Sequence, residues 1–565
     1  MHIRDLSSDD SSGIENKGKY LGLTESGTTN KAGELTGLDY MKELGVTHVH
    51  ILPSFDYASV DETGDGTQYN WGYDPQNYNV PEGSYSTDPT DGNVRVNEYK
   101  QMVQSLHDND IRVVMDVVYN HTFNIDDSNF QKIVPDYYYR KSGDSYSNGS
   151  GCGNETASER SMTRKYIVDS VVYWATEYHV DGFRFDLMGV HDMETMQAVR
   201  EALDEIDPSI MIYGEGWTGG DSSYDESLRA VKANVSQLEG IAAFSDDFRD
   251  GLKGNVFDEL DTGFISGNDA YLEDVKFGIV AATENEQIDT EKLTKSKGAW
   301  ALEPSQCINY VSCHDNLTLW DKIQASAADA SEEEKVSMNK LAAAMTFTSQ
   351  GIPFLQAGEE FLRTKPSEKE GETYDANSYT SSDAVNSLKW DSLTDNKAVY
   401  EYYKGLIAFR KAHNALRMTE TGDIQNSLTF LEDAVKGDAI AYTITGSPND
   451  EVAEEIMVIH NGNAEDISVN LPDEETWSVY INGEQAGTKA IEKVSGKVTV
   501  SKISTMVLVK ESTTSKALNT LNKIDNWVYI VGIVVIVIVI LLLIFFGNSK
   551  GRKEKKRRKK VTYYR

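Results

Sequence analysis

Up to about residue 422, short β-branched and apolar runs alternate with longer stretches whose apolar positions recur at helical spacing. The runs occupy residues 2–6, 46–53, 111–120, 180–187, 210–216, 241–245, 308–313 and 352–357. Between or after most of them lie helical patterns, among them "TGLDYMKELG", "NEYKQMVQSLHDND", "MTRKYIVDSVVYWATEYH", "METMQAVREALDEI", "EEEKVSMNKLAAAMTFTSQG" and "NKAVYEYYKGLIAFRKAH". Repeated βα units build parallel sheets. Eight of them predict an α/β chain with a (β/α)8 TIM barrel carrying insertions, over residues 1–422. From about residue 423 the texture changes to "AIAYTI", "IMVIHNG", "DISVNL", "WSVYING", "KVTV" and "TMVLVK", short strands with turn residues and no helix between them. These predict a C-terminal antiparallel β-sandwich over residues 423–511, followed by a polar linker, 512–526.

The next stretch, "WVYIVGIVVIVIVILLLIFF" (527–546), has 20 residues and no charge, enough to span a bilayer. The tail after it, 547–565, carries ten Lys/Arg against one Glu, which the positive-inside rule keeps cytoplasmic. The expectation is a single transmembrane helix, the membrane as a partner, and a cell-surface protein with its large N-terminal part outside. "MHIRDLSSDDSSG" has no apolar segment that could act as a secretory signal, so Met1 is expected not to be the natural start. The net charge of −36 and pI of about 4.6 argue against a nucleic-acid partner, which would need a basic face. Three cysteines form no disulfide framework: Cys307 and Cys313 lie about 20 Å apart if extended, and Cys152 sits alone in a Gly/Ser/Asn loop.

On a barrel, chemistry gathers at the C-terminal ends of the strands. There the chain places Asn120 and His121 ("DVVYNH"), Arg184 and Asp186 at alternate positions ("GFRFDL"), Glu215 and Trp217 ("YGEGW"), and His314, Asp315 and Asn316 ("SCHDN"). Three carboxylates on three strands, with two histidines and no metal-ligand cluster, suit glycoside hydrolysis. One carboxylate attacks the anomeric carbon while another, kept protonated, donates to the leaving oxygen. Arg184 would keep Asp186 ionised, and an apolar wall such as Trp217 would help Glu215 hold a proton. The turn "YNWGYDP" (69–75) adds Tyr69, Trp71 and Tyr73. Aromatics on a loop read either as core filling or as a recognition surface. Sugar rings offer faces that stack on them.

"DVVYNH", "GFRFDLMG", "GEGW" and "SCHDN" resemble, in order, the four signature stretches of the α-amylase superfamily of glycoside hydrolases. "YNWGYDP" is similar to the marker of its type I pullulanase branch, debranching enzymes that cleave α-1,6 links in pullulan and branched starch. "MHIRDLS" looks like that branch's first barrel strand, and the region from "GIPFLQAGEEFLRTK" to "NSLKW" like its strand-eight region. The resemblance implies Asp186 as nucleophile, Glu215 as general acid/base and Asp315 as transition-state stabiliser. It further implies that His121, Arg184 and His314 hold the sugar at the cleavage subsite with Tyr73 stacked beneath it. Trp71 would shape a neighbouring subsite, with Trp217, Tyr379 and Asp383 completing the substrate set. The partner would be an α-glucan polysaccharide or oligosaccharide. No cofactor is required and no metal ligand is assigned, although Ca2+ stays open, since many amylase relatives bind it near the "DVVYNH" asparagine and the acidic loop candidate is "DDSN" (126–129). Relatives usually carry carbohydrate-binding and β-sandwich domains before the barrel, and none precedes it here. An α-1,4-acting amylase or amylopullulanase, and a non-catalytic glucan-binding protein on the same fold, are the alternatives.

Overall fold

The computed structural model describes residues 1–511. The six quoted helical patterns fold as helices Gly37–Leu44, Gly92–His107, Ser161–Glu177, Met193–Asp204, Glu332–Thr348 and Lys397–Ala412. Their ends follow local chemistry. Asp91 and Asp192 accept backbone N–H bonds as N-caps, and Ser331 with Glu334 forms a capping box.

Seven parallel strands form the central sheet: β1 (His48–Ile51), β2 (Arg112–Val117), β3 (Gly182–Phe185), β4 (Met211–Gly214), β5 (Ala242–Phe244), β6 (Cys307–Asn309) and β7 (Ile352–Pro353). They are hydrogen-bonded in chain order, with β1 and β7 at the two edges. Val114, Tyr213, Ala242, Phe244, Ile308 and Tyr310 fill the space the sheet encloses. The register sets Asp116 of β2 beside Arg184 of β3, and Arg184 beside Tyr213 of β4. Neighbouring residues in register share a face, so a charged pair is built into the middle of an otherwise apolar sheet.

The closed eight-stranded barrel expected from the sequence is therefore corrected to an open sheet of seven parallel strands among the described residues. The run at residues 2–6, read as the first strand, folds as the short helix Ile3–Ser7, because the His2 side chain caps the Arg4 N–H and turns the chain. Only Met1 meets the sheet edge: its amino group donates to the His50 carbonyl at 2.5 Å, and its carbonyl accepts from Leu52 N–H at 2.9 Å. An apolar cavity of about 370 Å3 lies between the two edges, lined by Val49 of β1 and Ile352 of β7 with Val114 and Ile308, so the sheet curls around it.

From Leu428 the chain forms strands β8 (Leu428–Phe430), β9 (Ala439–Thr445), β10 (Ala453–Asn461), β11 (Ile467–Asn470), β12 (Trp477–Ile481), β13 (Glu492–Val494), β14 (Lys497–Val500) and β15 (Ser504–Glu511). Six make one sheet in the order β8-β9-β10-β15-β12-β13, and β11 pairs with β14. Met457, Ile459, Trp477, Val479 and Leu508 are buried between them. Tyr442 on β9 donates its hydroxyl to the Thr348 carbonyl at 3.0 Å, joining the sheet to helix Glu332–Thr348.

Among the described residues no helix is long and apolar enough to cross a membrane. The transmembrane helix, the membrane partner and the cell-surface localisation expected from the sequence are accordingly not supported. The apolar stretch at 527–546 and the basic tail at 547–565 lie outside the described residues.

Candidate active site

The parallel register carries the C-terminal ends of β1 to β4 to one end of the sheet, where a buried guanidinium organises them. Arg184 is 2% exposed. Its Nη1 donates to Asp116 Oδ1 at 2.9 Å and to Asp186 Oδ1 at 2.8 Å, and its Nη2 lies 2.8 Å from Glu215 Oε1. One cation thus holds three carboxyl groups. The remaining oxygens are also engaged: Asn120 Nδ2 donates to Asp186 Oδ2 at 2.8 Å, and the Leu187 N–H donates to Glu215 Oε2 at 2.9 Å. Leu187 reaches Glu215 by adopting a left-handed backbone, φ 41°, which is strained for a residue with a Cβ. Gly189 lets the same loop close on the next, because a Cβ there would lie 2.6 Å from the Trp217 carbonyl oxygen.

Burial pushes the Asp186 carboxyl up to about 6, with Arg184 and the Asn120 bond opposing the rise. Glu215 is pushed up to about 8, again by burial, with Arg184 opposing and the Asp186 and Asp315 charges adding. Burial would raise Asp116 too, but Arg184 and the bonds from His50 and Tyr73 outweigh it and hold that carboxyl below its usual range. At neutral pH the arrangement contains ionised Asp116, largely ionised Asp186 and largely protonated Glu215.

His50 Nε2 lies 2.9 Å from Asp116 Oδ2, and burial holds this imidazole down to about 4. His121 is likewise held at about 4 by burial, its Nδ1 2.7 Å from Asn120 Oδ1. Tyr73 donates its hydroxyl to Asp116 Oδ2 at 2.8 Å, and its ring stacks on His314 with centroids 5.0 Å apart and planes 14° apart. Trp71 sets its edge against His314 at 4.9 Å, while the Lys365 ammonium lies 5.0 Å from the centre of the indole. Gly72 between them has φ +96°, and a Cβ there would strike the Tyr57 ring at 2.9 Å, so the turn requires glycine. Asp315 is the most open of the carboxylates, its side chain 45% exposed.

The sequence-based candidates divide accordingly. Asp186, Glu215, Arg184, His121, Tyr73 and His314 converge through these contacts, and Asp315 stands beside His314 at 3.5 Å. Together with His50 and Trp217, several line one cavity of about 440 Å3. Of the aromatic turn, Tyr69 and Trp71 are buried with Leu52, and Tyr69 donates to Asp5 at 2.6 Å, so both are packing residues that support Tyr73. Tyr379 is exposed, and its carbonyl accepts from Trp71 N–H at 3.1 Å. Asp383 is not brought into the cluster, because Arg4 holds it bidentately at 2.6 and 2.7 Å. Sequence reasoning passed over Asp116, His50 and Lys365. A charge inside the apolar run "VVMDVV" was the available signal for Asp116.

Among the described residues two side-chain groups could hold a cation. Asp56, Glu62 and Glu82 form one, but Arg95 already neutralises Glu62 at 2.5 and 2.7 Å. Cys313, His314 and Asp315 form the other. Asn120, the residue near which many amylase relatives bind Ca2+, has its amide nitrogen on Asp186 and its oxygen on His121.

A family model described as the α-amylase catalytic domain matches residues 22–151, and one described as the pullulanase all-beta domain matches residues 424–485. The pullulanase of Bacillus subtilis strain 168 is 41% identical over 510 residues, covering 90% of this chain and 68% of that protein. The chain belongs to the type I pullulanases, glycoside hydrolases of the α-amylase family. The crystal structure of pullulanase from Paenibacillus barengoltzii in complex with maltohexaose and α-cyclodextrin superposes with a TM-score of 0.83 at 44% identity, over 91% of this chain and 76% of that one. Pullulanase from Bacillus acidopullulyticus gives a TM-score of 0.84 at 44% identity, over 90% of this chain, which spans 60% of that structure.

Proposed function

We propose that this chain hydrolyses α-1,6-glucosidic linkages in pullulan, branched starch or glycogen-derived dextrins, with retention of configuration and without a cofactor. The observation that carries the reading is the shared guanidinium: Asp186 and Glu215 each lie 2.8 Å from a nitrogen of Arg184, and burial pushes both carboxyls up, Glu215 the further. Asp186, ionised at neutral pH, attacks the anomeric carbon to form a glycosyl-enzyme. Glu215 gives its proton to the departing glycosidic oxygen, then takes one from the water that releases the sugar. Two carboxyl groups on adjacent nitrogens of one guanidinium are close neighbours. That favours the separation of about 5–5.5 Å used by retaining enzymes over the wider gap that admits an attacking water.

Asp315, open to the cleft, stabilises the oxocarbenium-like transition state. His121 and His314, neutral at pH 7, accept and donate hydrogen bonds to sugar hydroxyls, and Tyr73 offers its ring to the sugar face. A maltohexaose or cyclodextrin bound to a relative is the same class of ligand. The test incubates the protein and its Asp186→Asn variant with pullulan and, separately, with linear amylose, and resolves the products by size. Maltotriose from pullulan with amylose intact supports the reading. Cleaved amylose would assign the chain to the α-1,4 or mixed class, and an active Asp186→Asn would remove Asp186 as nucleophile. That variant is expected to lose roughly 10⁴-fold or more in kcat while still binding glucan.

A further inference from the structure

The stretch Cys313-His314-Asp315 sets a thiol, an imidazole and a carboxylate side by side at the cleft. Consecutive residues on an extended strand alternate faces, but β6 has ended at Asn309, so these three residues lie beyond the strand. The three ligand atoms lie within 4.8 Å of one another. His314 Nε2 is 3.5 Å from Asp315 Oδ2. In a tetrahedral zinc site, bonds of about 2.0–2.3 Å separate ligand atoms by about 3.3–3.8 Å, a range that the 3.5 Å between His314 and Asp315 already meets.

We propose that Cys313, His314 and Asp315 form an inhibitory Zn2+ site at the mouth of the cleft, its fourth position taken by water. The mixture of soft sulfur, nitrogen and oxygen donors suits Zn2+ and disfavours Ca2+ or Mg2+, which prefer oxygen. On binding, the S–H proton passes to solvent, an S–Zn bond forms and a hydration water leaves. The ion takes the Asp315 carboxylate away from substrate, so hydrolysis stops. That consequence rests on the proposed role of Asp315, whereas the site itself does not.

The test adds Co2+ to the full chain as a spectroscopic stand-in for zinc. One equivalent is expected to give an intense near-ultraviolet thiolate-to-cobalt band, displaced by Zn2+, lost in Cys313→Ala and kept in Cys152→Ser. Asp315→Asn is expected to weaken Co2+ binding at least about tenfold, the loss that removal of even an outer-sphere partner brings. In pullulan hydrolysis, Zn2+ should inhibit the wild type reversibly by chelator. Cys313→Ala should keep metal-free activity and need at least about tenfold more Zn2+. The absence of a band in the wild type, a band persisting in Cys313→Ala, or equal zinc sensitivity of that variant would overturn the proposal. Should Cys313→Ala not fold, Cys313→Ser and the cobalt affinity of Asp315→Asn decide it. A chain that hydrolyses nothing still answers through cobalt.

Discussion

Replacing Glu215 by glutamine should stabilise the protein at alkaline pH and destabilise it slightly at acid pH. A carboxyl whose folded pKa is raised binds its proton more tightly folded than unfolded. The resulting destabilisation is absent below the unfolded value near 4.5, grows as pH rises, and is complete above about 8. The slope is about 1.4 kcal/mol per pH unit, and the full rise of some three to four units amounts to about 5 kcal/mol. The group is 8% exposed at the side chain, so solvent screens little of it. Glutamine removes the titration and can still accept from Arg184 Nη2, but its amide nitrogen cannot accept the Leu187 N–H. That mismatch costs about 1–3 kcal/mol at every pH. The difference in unfolding free energy, variant minus wild type, should therefore be negative at pH 4.5, change sign on the way up, and level off above pH 8. Denaturant titrations of both proteins at half-unit pH intervals measure it, the shared multidomain behaviour cancelling in the difference. A flat difference, or one that falls with pH, would show Glu215 ionised at neutral pH, and the assignment of the proton donor would go with it.

The same proton division predicts a bell-shaped pH dependence of kcat/KM with limbs near 6 and 8. Asn120→Ala removes a bond that favours ionised Asp186, so the acid limb should move to higher pH; an unmoved limb would mean the bond does not tune that carboxyl. Tyr73→Phe deletes the hydroxyl on buried Asp116 while keeping the ring on His314. It should cost about 1–3 kcal/mol of stability with KM little changed, and unchanged stability by denaturation would refute the bond's importance. Asp383→Asn breaks a partly exposed ion pair with Arg4, the Arg4 and Asp383 side chains being 21% and 34% exposed. It should cost no more than about 1 kcal/mol and leave kcat and KM alone, and a large rise in KM would return Asp383 to the substrate set.

Hydrophobic periodicity reported the helices well because five of the six quoted patterns run for 12 to 17 residues, long enough to average over, and three start at a side-chain cap. Leu38, Met41 and Leu44 mark the buried face of Gly37–Leu44 in this way. It failed at residues 2–6, where five residues carry too few periods to separate strand from helix and a single cap bond from His2 decides. The convergence of Arg184, Asp186 and Glu215 was legible because strand-end position and alternation are properties of the chain itself. Asp116 and His50 were not, since their importance lies in which strand neighbours which, and only the register of β1, β2 and β3 supplies that. Asp383 illustrates the reverse: its partner Arg4 is 379 residues away, and no local pattern announces such a pair.

The shortage of positive charge around Arg184 explains how two similar carboxyl groups could take the opposite roles proposed for them. A single guanidinium faces Asp116, Asp186 and Glu215. With three ionised partners the buried cluster would carry two uncompensated negative charges, which burial penalises heavily. With one proton shared among them the excess falls to one. The proton settles where competing donors are weakest: Asp116 also receives His50 and Tyr73, and Asp186 receives Asn120, while Glu215 has a single backbone N–H and feels the charges of Asp186 and Asp315. In the proposed mechanism the acid is therefore selected by what its neighbours lack. The same reasoning makes Asp116, which touches no reacting atom in this reading, the group that fixes how many protons the pair retains.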